Sequence, residues 1–287
     1  MTKTGPRQFA PLKHTPGQQQ THLPKLQGII FDVDGTLCLP QNYMFTQMRA
    51  VLGIPRPIDI LTHISSLPTA AAREEAMEAI RAIERSAMAS QEAQPGLGTL
   101  MAYLQGRGVR KAICTRNFEQ PVTHLLEKFL VGVDFSPIVT RDFRPPKPDP
   151  AGLLFIAREW GLVRDVDDAA ADAAPGSPST EALLEAAAQG TESERRGARG
   201  PREKPTGDDK SVNKVEEVGD ASALIMVGDS IDDITAGRRA GAATVLLVNS
   251  ENAHLAEHPH TDLAIRRLDE LVGVLDAGFM GREIPIE

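Results

Sequence analysis

The sequence predicts an α/β fold: a parallel sheet flanked by helices, with a small helical segment inserted after the first strand. Three observations predict it. Short apolar runs recur at Gly28–Phe31, Val109–Cys114, Ala223–Val227 and Thr244–Val248, as strands buried on both faces require. Between them lie stretches with apolar residues at helical spacing, such as Val122, Leu125, Leu126 and Phe129. Polar side chains able to do chemistry directly follow the apolar runs, where open α/β sheets collect their ligands.

A chain of 287 residues holds one sizeable α/β domain with an insertion, or two small domains. Hydrophobic residues make up 41% and charged residues 24%, the composition of a soluble globule. Aromatic residues are 4% and the formal net charge is −8, so few stacking platforms and no basic surface are offered to nucleic acid. No run of 18 or more apolar residues is present, and no membrane span is expected. The only cysteines, Cys38 and Cys114, give no disulfide framework and fit a reducing compartment, with Cys114 a small apolar strand residue. A cytoplasmic protein is expected, or a nuclear one. Mitochondrial import is disfavoured because Pro6, Pro11, Pro16 and Gly17 spoil an amphipathic Arg-rich helix.

Taken in order, residues 1–25 lack Asp and Glu, show no apolar period and predict a disordered tail. Gly28–Phe31 then reads as the end of a buried strand, and Asp32 and Asp34 follow with one residue between them. If the strand continues, its period of two puts both carboxylates on one side, and Gly35 allows a tight turn. Two crowded carboxylates repel unless a shared proton or a cation relieves them. Hard oxygen ligands of this kind suit Mg2+, and a carboxylate held there can also act as a nucleophile. The alternative is an ordinary turn decorated with Asp and Gly.

Residues 41–94 change period: Met44, Met48, Val51 and Leu52 fall at helical spacing, and Ala70–Glu92 is rich in helix formers. Arg49, Arg56 and His63 are candidate substrate contacts on this insertion, or simply part of a solvated face. Pro95-Gly96-Leu97-Gly98 marks the return to the main domain, followed by a helix over 99–107 and the strand Val109–Cys114. Thr115, Arg116 and Asn117 end that strand. A hydroxyl with free backbone N–H groups suits phosphate oxygens, although Thr115 could equally cap the helix over 121–129.

A third strand is expected over 135–140, then Arg144-Pro145-Pro146-Lys147-Pro148-Asp149-Pro150. Here Lys147 is the chemical content, in a loop stiffened by proline. A lysine in such a loop is otherwise simply solvent-exposed. Asp149 is expected to start a helix running to Trp160. Residues 165–221 lose core-building residues and carry a net charge of about −7, predicting an acidic disordered insert with a short helical patch at Glu181–Ala188. A segment of this length is either disordered or a binding element for a protein partner. Ala223–Val227 then delivers Gly228-Asp229-Ser230-Ile231-Asp232-Asp233. Asp229 or Ser230 could cap the next helix, and Asp232 favours its dipole. Ala236-Gly237 and Ala240-Gly241 allow that helix to approach the sheet closely. Thr244–Val248 is a further strand, 256–262 reads as loop, and a last strand and helix run from Leu263 to about Ala277.

Asp32-Val33-Asp34-Gly35-Thr36-Leu37, Thr115, Lys147-Pro148-Asp149-Pro150 and Gly228-Asp229 with Asp233 resemble, in order, the four motifs of the haloacid dehalogenase superfamily of Mg2+-dependent phosphohydrolases. The first motif is the most specific of the four. The resemblance implies a Rossmann-like sheet ordered 5-4-1-2-3, built from residues 26–40, 95–164 and 222–280. Residues 41–94 would form a small helical cap, as in the phosphoglycolate-phosphatase-like branch. It further implies that Asp32 attacks phosphorus, that Asp34 is general acid and base, and that Thr115 and the backbone N–H of Arg116 hold the phosphoryl group. Lys147 would offset charge. Mg2+ would be held by Asp32, the backbone oxygen of Asp34, Asp229 and, directly or through water, Asp233. Asp34 argues against the dehalogenase branch. The expected substrate is a small phosphate monoester. A phosphomutase, or a regulatory protein acting through the acidic insert, is the alternative.

Overall fold

The computed structural model describes residues 6–13, 22–41, 43–165 and 217–282. The elements run β1 (Gly28–Phe31), α1 (Tyr43–Leu52), α2 (Ile60–Ser66), α3 (Ala70–Met88), α4 (Leu97–Gly106), β2 (Arg110–Cys114), α5 (Glu119–Phe129), β3 (Ile138–Val139), α6 (Ala151–Glu159), β4 (Val163–Asp165), β5 (Glu217–Gly219), β6 (Leu224–Gly228), α7 (Ile231–Ala240), β7 (Ala243–Leu247), β8 (Leu263–Ile265) and α8 (Glu270–Ala277). Six strands form one parallel sheet in the order β3-β2-β1-β6-β7-β8. Five of these strands reproduce the predicted order, and β8 adds a sixth at the edge.

The strand period sorts the core. Ile29 and Phe31 face one layer with Leu100, Leu104, Ile113, Leu125 and Leu271, whereas Ile30 faces the other with Ala112, Leu153, Ile156, Met226 and Ala236. The sheet is therefore covered on both sides, as an all-parallel sheet must be. Register aligns the strand ends. Phe31 pairs with Ile113 of β2 and with Val227 of β6, so whatever follows these three strands emerges side by side. The Asp32 N–H still donates to the Val227 carbonyl at 3.0 Å, so the ladder persists to the first aspartate.

Helices α1, α2 and α3 form the inserted unit, with a small core of its own including Met44, Met48, Ile64 and Ile80. Its helices start where side chains satisfy free N–H groups. The Asp59 carboxylate accepts from Thr62 N and the Thr69 hydroxyl from Ala72 N. Phe118, from the main domain, completes that core and joins the two units.

Several expectations are corrected. Within the predicted tail, Phe9 is 1% exposed, packs on Phe279 and donates its N–H to the Phe279 carbonyl at 2.9 Å. An aromatic residue with an apolar slot outweighs its polar surroundings. The rest of the tail, residues 1–5 and 14–21, lies outside the described residues. The acidic insert is narrower than predicted. Its two ends pair as the antiparallel strands β4 and β5, and Val218 and Ala221 are buried. Residues 166–216, including the patch Glu181–Ala188, lie outside the described residues. Strand β3 is shorter than predicted, beginning after Pro137, which has no N–H to give a ladder. Pro150 occupies the N-cap position of α6 without a side-chain bond, and Asp149 starts the helix as expected, its carboxylate accepting from Ala151 N at 2.9 Å. The predicted loop over 256–262 overlaps a short 3-10 helix, Ala253–Glu257. Among the described residues no helix is long and apolar enough to cross a membrane.

Two glycines in helices separate propensity from packing. A Cβ on Gly237 of α7 would lie 2.7 Å from Thr244 Cγ2 and 2.9 Å from Met226 Cβ, whereas one on Gly273 of α8 would meet nothing within 4 Å. Gly237→Ala is therefore expected to destabilise by about 1–3 kcal/mol through overpacking. Gly273→Ala should stabilise by about 0.5–1 kcal/mol through helix propensity alone. Urea unfolding of both variants checks the opposite signs.

Candidate active site

The ends of β1, β2 and β6, with the loop after β3, enclose a cavity of about 370 Å3 under the helical cap. The cavity gathers every site residue read from the sequence: Asp32, Asp34, Thr115, Arg116, Lys147, Asp229 and Asp233. Arg49 of the cap lines it as well, whereas Arg56 and His63 lie outside the lining. Seven carboxylates and four cationic side chains face this space.

Local geometry explains how the carboxylates come so close. After Asp32 the chain turns back, and the N–H groups of Thr36, Leu37 and Cys38 all donate to the Val33 carbonyl. Gly35 sits at φ 80°, and a Cβ there would fall 2.1 Å from Asp229 Oδ2, so only glycine lets the two loops touch. Gly228 acts likewise for Asp233, whose Cβ lies 2.3 Å from where a side chain on Gly228 would start. Asp233 also closes a capping box with Ser230 at the start of α7.

Asp32, Asp229 and Asp233 bring one oxygen each within 4.8 Å of one another. Lys147 is the cation among them. Its ammonium donates to Asp32 Oδ1 at 2.7 Å, to the Cys114 carbonyl at 2.7 Å and to Asp233 Oδ1. The lysine side chain is 3% exposed, so the Pro-rich loop drives it inward instead of displaying it to solvent. Burial alone would lower the Lys147 pKa, but the Asp233 and Asp32 carboxylates outweigh it and hold the ammonium charged. Burial raises Asp32 to about 7 despite Lys147, and raises Asp229 to about 8 with Asp233 and Asp32 adding to the shift. One ammonium thus leaves excess negative charge on a set of hard, buried oxygens. That set fits a divalent cation such as Mg2+.

Asp34 stands apart from this cluster. Its carboxylate accepts from Asn117 Nδ2 at 2.7 Å and from the Cys38 thiol at 3.4 Å, and burial raises its pKa. Thr115 is buried at the end of β2, its hydroxyl accepting from Asn117 N at 3.2 Å. Arg116 does more than its backbone suggested: its guanidinium bridges Asp59 of the cap and Asp232 of α7, each at 2.6 Å. Asp232, expected only to favour the helix dipole, is therefore half of a link between the domains. Cys38 and Cys114 are free and buried, and burial pushes both thiols up, away from reactivity.

Several members of the site went unnoticed in the sequence. Asn249 donates to Asp229 Oδ2 at 3.2 Å and Asn252 to the Asp229 carbonyl at 2.6 Å. Gln94 donates to the Gly35 carbonyl at 2.7 Å. Asn117 and Arg141 hold the far wall, and Glu84 reaches it from the cap. Asn249 carried a usable signal, since it lies just past an apolar strand at the ligand-collecting end of the sheet.

Residues 26–178 match the family model of haloacid dehalogenase-like hydrolases, and residues 176–271 match a second, HAD-hydrolase-like model. An uncharacterized hydrolase of Saccharomyces cerevisiae is 34% identical over 258 residues, covering 88% of this chain and 92% of that protein. A haloacid dehalogenase-like hydrolase domain-containing protein of Arabidopsis thaliana is 33% identical over 148 residues, covering 48% of this chain and 59% of that one. Among solved structures, CbbY of Rhodobacter sphaeroides in complex with xylulose-(1,5)bisphosphate superposes with a TM-score of 0.55 at 17% identity, covering 86% of this chain and 96% of that one. A family IA, variant 3 HAD hydrolase of Entamoeba histolytica gives a TM-score of 0.54 at 16% identity, covering 87% and 99%. With family models matching over residues 26–178 and 176–271 and a relative 34% identical along 88% of this chain, the chain belongs to the haloacid dehalogenase-like hydrolases.

Proposed function

We propose that the protein is a Mg2+-dependent phosphatase that hydrolyses a small phosphate monoester through a phosphorylated Asp32. The observation that carries this reading is the three-carboxylate cluster with the Lys147 ammonium donating to Asp32 Oδ1. A carboxylate at the end of β1, hydrogen-bonded to one buried cation and facing a cavity, is a nucleophile held in place and aimed.

In the first displacement an Asp32 oxygen attacks phosphorus while the bond to the leaving oxygen breaks, and Asp34 gives that oxygen its proton. Burial raises the Asp34 pKa, which favours the protonated form that a donor needs. In the second, Asp34 takes a proton from water as the water oxygen attacks phosphorus, and the bond to Asp32 breaks to release inorganic phosphate. Thr115 and the backbone N–H of Arg116 hold phosphoryl oxygens, and Lys147 offsets the charge that gathers on them. Asp32, Asp229 and Asp233, with the backbone oxygen of Asp34, would hold Mg2+, which when bound supplies positive charge opposite the phosphoryl oxygens.

A panel of phosphate monoesters assayed with and without Mg2+ tests the reaction class. Asp32→Asn should abolish phosphate release on every ester. Activity within about tenfold of the parent, a barrier change of only ~1.4 kcal/mol, would remove Asp32 from the covalent role.

Metal binding has a readout independent of turnover. The unfolded chain holds Asp32 and Asp229 near 3.8, whereas the metal-free fold raises them to about 7 and about 8, so the folded state binds more protons between these values. Stability of the EDTA-treated protein is therefore expected to fall as pH climbs from about 4 to 8 and then to level off. Added Mg2+ should reverse that fall, by about 2.7 kcal/mol at a hundredfold excess over its Kd. Thermal melts across this pH range, with and without Mg2+ and in Asp229→Asn, decide it; a melting temperature indifferent to Mg2+ at pH 8 would refute the metal site.

A further inference from the structure

Arg141 follows β3, outside every motif that identified the site, yet it is 6% exposed and forms part of the cavity wall. Its bonds run in two directions. Toward the cap, its guanidinium pairs with Glu84 of α3, itself 3% exposed. Toward the core, Arg141 Nε donates to the Arg116 carbonyl at 2.8 Å and Arg141 N donates to the Asn117 carbonyl at 2.7 Å. One residue thus holds two successive carbonyls of the turn after β2. The same turn returns Asn117 Nδ2 to Asp34 Oδ2 at 2.7 Å and Asn117 N to the Thr115 hydroxyl.

Stability alone is a poor account of this pair. Glu84 Oε2 and Arg141 Nη1 are both buried without a hydrogen-bond partner, so two charges are desolvated and incompletely satisfied. A buried ion pair of that kind is weak evidence for stabilisation. The Arg141 guanidinium also lies 3.8 Å from the centroid of Phe118, which belongs to the cap's core. Cap, Arg141, turn and Asp34 form one continuous chain of contacts.

We infer that Arg141 is a positioning residue for the acid–base step: seated by Glu84 of the cap, it fixes the Arg116–Asn117 turn and, through Asn117, the carboxyl group of Asp34. One side chain thereby links the seat of the cap to the alignment of the proton donor. This rests on the phosphatase reading above, because a proton donor matters only if a leaving oxygen must be protonated.

Leaving-group dependence separates positioning from general damage. An alkyl phosphate needs the Asp34 proton as its P–O bond breaks, whereas 4-nitrophenyl phosphate expels a stable phenolate without it. The quantity to compare is kcat/KM, which reports the first displacement; kcat also contains hydrolysis of the phosphorylated Asp32 and should fall on both esters. Arg141→Lys keeps the charge opposite Glu84 but cannot reach Glu84 and the Arg116 carbonyl together. In saturating Mg2+ it should lower kcat/KM on glycerol phosphate about ten- to a hundredfold while costing less than about threefold on 4-nitrophenyl phosphate. Glu84→Gln, which retains a neutral partner, should show the same asymmetry at smaller size, and it serves if the first variant melts early. Equal losses on the two esters, or none on either, overturn the inference. A parent enzyme that releases phosphate from neither of these esters nor any other of the panel overturns the phosphatase reading along with it.

Discussion

One buried ammonium organises the site. Lys147 satisfies its three donors with Asp32 at the end of β1, the Cys114 carbonyl at the end of β2 and Asp233 in the first turn of α7. Each partner comes from a different crossover of the sheet, so no local stretch could assemble the group. Without that charge Asp32, Asp229 and Asp233 would crowd one another at a largely buried site, where like charges are weakly screened. The Pro-rich loop limits the freedom of the lysine before it folds inward, which reduces the entropy lost in holding it there.

The sheet makes this convergence possible. With β1 central and β2 and β6 as its parallel neighbours, the register places Phe31, the last residue of β1, abreast of Ile113 and Val227, each one residue before its strand ends. Glycine then sets how near the following loops may come. Gly35 and Gly228 stand where a side chain would occupy the space of the Asp229 and Asp233 carboxylates. The rest of the fold is insulation for these ends. Two apolar layers cover the sheet, and the Asn249 and Asn252 amides pin the Asp229 loop from outside.

What could be read from the sequence follows from how local its causes are. The strands of the sheet and the residues Asp32, Thr115, Lys147 and Asp229 were legible because each is an apolar run or a chemical group at its end. Burial of Phe9 was not, because its slot beside Phe279 is built by residues at the far end of the chain. Pairing of β4 with β5 was hidden by the composition around them: three residues on each side of a long acidic segment carry almost no apolar signal. Nor could a charge pattern reveal that Arg116 joins Asp59 to Asp232, since the partners lie 57 and 116 positions away. Arg141 and Glu84 were invisible for the same reason. Periodicity reports which face is buried, not which ion meets which.

The cavity divides by origin into a floor and a roof, and that division bears on how the fold handles different substrates. Its floor comes from sheet ends, which supply Asp32, Thr115 and Asp229, from the loop after β3, which supplies Lys147, and from the first turn of α7, which supplies Asp233. Its roof includes Met44, Phe45, Met48, Ile60 and Leu61 of the cap, apolar side chains that make no hydrogen bond to the floor. Such a roof can be repacked without touching the carboxylates below, because methionine and the branched aliphatics tolerate volume-conserving exchange. The two layers communicate through ions instead. Arg116 with Asp59, and Arg141 with Glu84, both join a strand-end loop to a cap helix or its cap residue. Chemistry can therefore stay constant while the roof varies, provided these two arginine contacts keep cap and core in register with each other.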